Sequence, residues 1–445
     1  MKKNRILSLL LALVLVLSLV ACSNGKDNGG KAKETNGETA SIAEGTEITV
    51  QAEEGWKDYY QAAAERVEKA HPGTKVNLSI KGAFDHLEVI QNTDTTNKDV
   101  ADLYALPADR FEDYKTNEYL AALPAKEIAE KLGGYSDFDK SLGGFFKDGD
   151  DYLAFPYNIE TLVTFVNKAN AQTAGVDVEK PLEVANAKHE AEILLPLFDA
   201  WYGVAPNLAG GLELLAKKDS AFESTYTGAY ADLNDTQKAV FGEIYNYWKK
   251  HREANSALFD DEAAWGYVDK EFTTGANGVA LIAGPWDAGK FQGLAGAENM
   301  EVKPINHITV AGQPLKHWQG GWALVANSRI EEDTNKLALA VAMIEEILNP
   351  NHAVDLYKAT GKILENIDVK VYTDSDLSQF DKDVISNVFE SYKVSEPRPL
   401  FKEFGKVWDT WKNGVLSWNT VNPADAEAAY KELNASFTSM MQSIK

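Results

Sequence analysis

Three times between Thr46 and Tyr114 a short apolar run gives way to an amphipathic stretch, and this alternation limits the fold more than any other feature. "TEITVQA" precedes the helical "WKDYYQAAAERVEKA", "TKVNLSI" precedes "FDHLEVIQNT", and "DVADLYAL" leads into "ADRFEDY". Strands that alternate with helices pair in parallel, because each helix carries the chain back across the sheet before the next strand. The chain therefore reads as α/β, each sheet flanked by helices. A helical block is expected around 180–260, including "DTQKAVFGEIYNYWKKH", where Asn234 or Asp235 caps and Val240, Ile244 and Trp248 share a face. Strands return at "GVALIA", "MEVKPI" and "GGWALVA". From Glu331 the pattern is mostly helical, and Asn422 and Pro423 are expected to cap and start the last helix.

The chain opens with Lys2, Lys3 and Arg5, an apolar run from Ile6 to Ala21, and then Cys22, its only cysteine. That is the plan of a secretory signal, and the run falls short of the roughly 20 residues a membrane-spanning helix needs. Leu19-Val20-Ala21-Cys22 resembles the lipobox of bacterial lipoproteins, which implies removal of residues 1–21 and lipidation of Cys22. So used, Cys22 leaves no thiol for a disulfide or a metal site, and the fold must rest on its core alone. Residues 22–44 are polar, rich in Gly, Asn and Lys, and read as a flexible tether. The remaining length suits two domains of ordinary size. The formal charge is −23, and loss of Lys2, Lys3 and Arg5 makes it −26. Such a surface repels nucleic acid, so no nucleic-acid partner is expected.

"GPWDAGKF" (284–291) has the G-x-x-x-x-G-K spacing of a phosphate-cradling loop. The cradle contains Pro285 and Trp286, however, and Phe291 stands where a Ser or Thr would hold magnesium. "HEAEI" (189–193) lacks the second histidine of a zinc helix, and "DGDDY" (148–152) lacks calcium-loop spacing and suits a hairpin turn. No cofactor, metal site or catalytic signature is therefore expected.

Four segments, in order, carry a resemblance: "ADLYALPADRF" (101–111), "FPYNIETLVTFVNK" (155–168), "FTTGANGVALIAGPWDAGKF" (272–291) and "PRPLFKEFGKVWDTW" (397–411). Together they resemble the extracellular sugar-binding proteins of ABC importers, the family typified by maltose-binding protein, from Thr46 to the C-terminus. The resemblance implies two α/β lobes with the ligand at the hinge, 45–158 plus 324–372 and 159–323 plus 373–445. It also implies an oligosaccharide ligand, foremost a malto-oligosaccharide, an ABC permease as partner, and a monomer held outside the membrane by its lipid alone.

Carried over residue by residue, Trp286 matches a stacking face, Asp109 and Arg110 a hydroxyl-binding pair, Glu160 a hinge-strand acceptor, and Trp408 a C-terminal stacking aromatic. Glu53 and Glu54 fall at an acidic position with Trp56 beside them. Trp201 and Tyr202 lie near an aromatic position of the later lobe, and Trp318 and Trp322 flank "QGG" at a second crossing. Flat rings fit the apolar faces of a pyranose, and charged groups fit its hydroxyls. Leu106 departs from the family, which has a tryptophan before the Asp-Arg-Phe. Two other readings stay open: a binding protein for a polyamine or peptide, and a glycoside hydrolase using Asp109 and Glu160.

Overall fold

The computed structural model describes residues 42–219 and 221–444. The signal peptide 1–21, Cys22 and most of the tether lie outside the described residues. The principal strands are β1 (Glu47–Ala52), β2 (Lys75–Ile80), β3 (Leu103–Pro107), β4 (Phe155–Glu160), β5 (Val163–Asn167), β6 (Ile193–Leu194), β7 (Ala280–Ala283), β8 (Met300–Pro304), β9 (Trp318–Ala326) and β10 (Glu396–Pro397). The principal helices are α1 (Lys57–Ala70), α2 (Ala83–Asn92), α3 (Ala200–Gly210), α4 (Asp235–Glu253), α5 (Thr334–Ile347), α6 (Gln379–Val394), α7 (Gly405–Val421) and α8 (Ala426–Ser443).

Two sheets dominate. The first runs β10-β9-β3-β1-β2, with β4 also paired to β9. Strand β1 is parallel to both β2 and β3, as the helical crossovers require. All five residues of β3 are buried, the pattern of a central strand covered on both faces. The second sheet runs β8-β5-β7-β6, with β5 antiparallel to both β8 and β7.

Only Thr161 and Leu162 separate β4, in the first sheet, from β5, in the second. Glu160 is thus the last residue before the chain changes sheets. At the same place Gly320 pairs with Glu160, Trp318 pairs with Glu396, and the Thr161 hydroxyl lies 3.1 Å from that of Ser395. Three segments of the chain therefore lie side by side where it changes sheets. Gly321 makes this approach feasible, because a Cβ there would come 2.0 Å from the Asn158 carbonyl oxygen.

The helices follow local rules with two corrections. Asn234 caps α4 in a reciprocal capping box with Gln237, and Val240, Ile244 and Trp248 are buried as their spacing predicts. The 180–260 block is not wholly helical. It contains strands at Leu182–Glu183 and Ile193–Leu194 and a hairpin pairing Ala216–Lys218 with Ala221–Glu223. Strands of two or three residues are too short to show a period. Asn422 does not cap α8. It ends α7 in the left-handed conformation (φ 50°, ψ 62°) that asparagine tolerates, and Asp425 caps α8 by accepting from the Ala428 amide at 2.8 Å. "DGDDY" lies in a tight hairpin in which Lys147 pairs with Tyr152.

Candidate functional site

Trp286 stands on the turn Pro285–Asp287 directly after β7 and is 51% exposed, whereas every other tryptophan is buried or partly buried. Gly284 lets the ring lie close over the backbone, because a Cβ there would come 2.1 Å from the indole and push it aside. Trp201, at the start of α3, is oriented by Asp199, whose carboxylate accepts from the Trp201 amide at 2.8 Å. Its ring centroid lies 6.4 Å from Trp286, 6.5 Å from Trp408 on α7 and 6.0 Å from Trp318 on β9. Four indoles drawn from four separate chain segments thus meet at the point where the sheets join.

The charge at their centre belongs to Arg398. Its guanidinium carbon lies 4.7 Å from the Trp201 ring, 5.8 Å from Trp318 and 5.7 Å from Trp408, a stacking geometry arginine favours over aromatic faces. One terminal nitrogen reaches Asp109 at 3.3 Å, while Nε is buried without a partner. Burial lowers the Arg398 pKa, opposed by the charges of Asp109 and Glu160. The Trp201 indole N–H is likewise buried without a partner. His317 donates through Nε2 to the Trp201 carbonyl at 2.8 Å, and burial depresses its pKa to about 3, so it stays neutral.

Trp318, Gly320 and Trp322 point to the same side of β9, since side chains alternate along a strand. Gly320 faces both Glu160 and Trp201: a Cβ there would lie 3.1 Å from the Glu160 carbonyl oxygen and 3.6 Å from the Trp201 ring edge. Trp322 is half-buried. Lys362 places its ammonium 4.3 Å from the Trp322 ring centroid, 5.9 Å from Trp56 and 5.8 Å from Tyr157. Burial lowers the Lys362 pKa, opposed by Glu160 and Glu53. Glu160 therefore acts electrostatically on both cationic groups.

The structure brings together Trp286, Trp201, Trp408, Asp109 and Glu160, and adds Trp322 along β9. It treats the other expected residues differently. Trp56 is 7% exposed and stacks on Tyr60 at 5.9 Å, so it is a core ring, with the Lys362 ammonium over it at 5.9 Å. Tyr202 is 6% exposed and packs edge-on against Trp265 at 5.2 Å, a core position, because the α3 helix turns it away from Trp201. Glu53 accepts from the Ala83 amide at 3.1 Å, serving the N-terminus of α2. Glu54 and Arg110 are exposed. Arg398, Lys362, His317 and Gly320 were not singled out from the sequence. Arg398 sits in the "PRPLF" stretch, but nothing local distinguishes it from a surface arginine.

A cavity of about 190 Å³ lies elsewhere, lined by Val184, His189, Glu243, Tyr247 and Lys250 among others, and holds none of these residues. Among the described residues no cluster of three metal-ligating side chains occurs, and no helix is long and apolar enough to cross a membrane.

Residues 53–350 match the family model described as "Bacterial extracellular solute-binding protein". A maltooligosaccharide ABC transporter solute-binding lipoprotein of Streptococcus pneumoniae is 26% identical over 411 residues, covering 89% of this chain and 88% of the relative. The fold is similar to that of a maltose-binding periplasmic protein from Listeria monocytogenes in complex with maltose, with a TM-score of 0.68, 18% identity, and coverage of 90% of this chain and 99% of that one. It is also similar to MalX from Streptococcus pneumoniae in complex with maltopentaose, with a TM-score of 0.64, 19% identity, and coverage of 88% and 99%. The alternation of strands and helices thus builds the two-lobed architecture of those proteins, and the match over most of the folded chain settles its kinship. The chain belongs to the bacterial extracellular solute-binding protein family.

Proposed function

We propose that this protein binds a malto-oligosaccharide between two lobes and delivers it to an ABC-type permease, without catalysis and without a cofactor. The observation that carries the reading is the exposed Trp286 ring beside Trp201 and Trp408, with Asp109, Arg398 and Glu160 around them. An exposed indole offers a flat apolar surface to one face of a pyranose, and the charged groups around it suit the hydroxyl rim. Beside this ring the Arg398 Nε–H and the Trp201 indole N–H are buried without a partner. The names of the Streptococcus pneumoniae relative and of the maltose and maltopentaose complexes support the same ligand class.

In this reading residues 45–158 and 324–372 form one lobe and 159–323 and 373–445 the other, with the segments that join them as hinge. Ligand contacts made by both lobes favour the closed form, which the permease then recognises. Cys22 carries a lipid that keeps a monomer beside the transporter on the outer side of the cell membrane. The two cations Arg398 and Lys362, set among the acids, oppose a polyamine. Calorimetric titration with maltose through maltopentaose tests the proposal, with incubated samples checked for shortened chains. Saturable binding with intact sugar supports it; shortened products, or no heat with any of them, refute it.

A further inference from the structure

Asp109 and Arg398 are one half of a doubled contact. Four residues beyond each, Asp113 faces Lys402 with 3.5 Å between carboxylate and ammonium, while Asp109 and Arg398 stand 3.3 Å apart. The two acids share a face, because the turn Ala108–Arg110 runs directly into the helix Phe111–Thr116 and residues four apart on helical turns lie one above the other. Both bases precede α7, and Lys402 opens the turn Lys402–Phe404 that feeds it. Acids and bases therefore match in the same order along the two segments.

The segments belong to different halves of the chain. Asp109 and Asp113 follow β3 in the first sheet, whereas α7 is anchored elsewhere: the Trp411 indole donates to the Leu197 carbonyl just before α3, and Gly414 packs so closely on α8 that a Cβ would come 2.6 Å from the Leu433 side chain. Among the described residues, these are the two ion pairs that join 45–158 to any part of 159–323 or 373–445. They differ in their access to water. The Arg398 side chain is 8% exposed and sheltered, while Lys402 at 62% and Asp113 at 39% stand where dissolved salt screens them.

We propose that Asp113 and Lys402 form an interlobe latch, a positioning pair that stabilises the closed form with or without sugar and holds Asp109 and Arg398 in register. The inference rests on the two-lobe reading above and adds an ionic contribution to closure. A ligand's apparent affinity falls in proportion to the fraction of protein in the binding-competent form, so weakening the latch weakens binding without touching the sugar. An uncharged sugar makes no ion pair of its own. Salt dependence that follows the Asp113 and Lys402 charges therefore reports closure.

The test titrates maltopentaose into the full chain and into Lys402→Glu, Asp113→Lys and the exchange Asp113→Lys with Lys402→Glu, at about 0.01 M and about 1 M ionic strength. Small-angle scattering follows each protein without sugar. Both side chains are exposed, so the substitutions leave the core intact, and melting temperatures verify it. Each single reversal sets like charges together and is expected to weaken binding about fivefold at low salt, with most of that difference lost at high salt. Each is also expected to enlarge the radius of gyration, and the exchange to restore both quantities. Equal affinities in all four proteins, or losses that the exchange does not repair, overturn the latch and leave the ligand class standing. If the unsubstituted chain does not bind the sugar, the ligand class falls, and scattering decides the latch alone: equal radii in all four proteins overturn it.

Discussion

Replacing Trp286 with alanine separates a binding role from a packing role. A tryptophan presents up to roughly 250 Å², and about half of Trp286 is uncovered (51% exposed). A pyranose face covers roughly 80 Å², which at about 25 cal/mol per Å² amounts to about 2 kcal/mol. That corresponds to a Kd about thirtyfold weaker. The same exposure limits the cost to folding. Trp411 is fully buried and donates its indole N–H to the Leu197 carbonyl at 2.8 Å, so Trp411→Ala should fall in the 3–5 kcal/mol range of buried tryptophan truncations. Trp286→Ala should lose clearly less. Gly284→Ala provides an independent perturbation, because its Cβ would displace the indole while leaving its chemistry intact. Calorimetric titration with maltopentaose, paired with thermal melts of each variant, reads both quantities. If Trp286→Ala destabilises the fold as much as Trp411→Ala, or weakens binding by less than about threefold, the stacking argument fails.

Glu160→Gln keeps the shape of the side chain but removes the charge that acts on Arg398 and Lys362. It should cost about 1.5–3 kcal/mol of sugar affinity, and an unchanged titration would remove Glu160 from the site. Asp109→Asn strips a counter-ion from a buried arginine whose Nε already lacks a partner. Melting temperature and affinity should therefore fall together, in contrast to Trp286→Ala, and a fully stable variant would contradict the geometry. Burial pushes the Glu365 carboxyl from 4.5 up to about 7, opposed by the Leu142 amide that donates to it. Below 4.5 both folded and unfolded chains hold the proton. As pH rises from there through 7 the unfolded chain ionises first, so this stabilising contribution is lost. Melts across this range should show a decline with pH that Glu365→Gln reduces; parallel curves for the two proteins would refute it.

Particular residues show where reading the sequence stops. The apolar runs of β1, β2 and β3 and the stripe Val240, Ile244, Trp248 were legible because burial imprints a period on neighbouring positions. Asn422 was misplaced because asparagine serves both as an N-cap and as a left-handed helix terminator, and only the path of the chain selects between them. Trp56 and Tyr202 were themselves read as candidate site residues but turn into the core. Adjacent positions on a helix differ by about 100° in direction, and the sequence does not say which neighbour faces inward.

By itself the sequence determined the α/β alternation and the tryptophan set at the end of a strand, since each is written within a few consecutive residues. Only the tertiary structure decided that Arg398 pairs with Asp109 from a remote part of the chain. It also decided that Lys362 caps Trp322. Those outcomes depend on how the crossing segments bring the two sheets together, and a local pattern of residues holds no record of contacts made between distant elements.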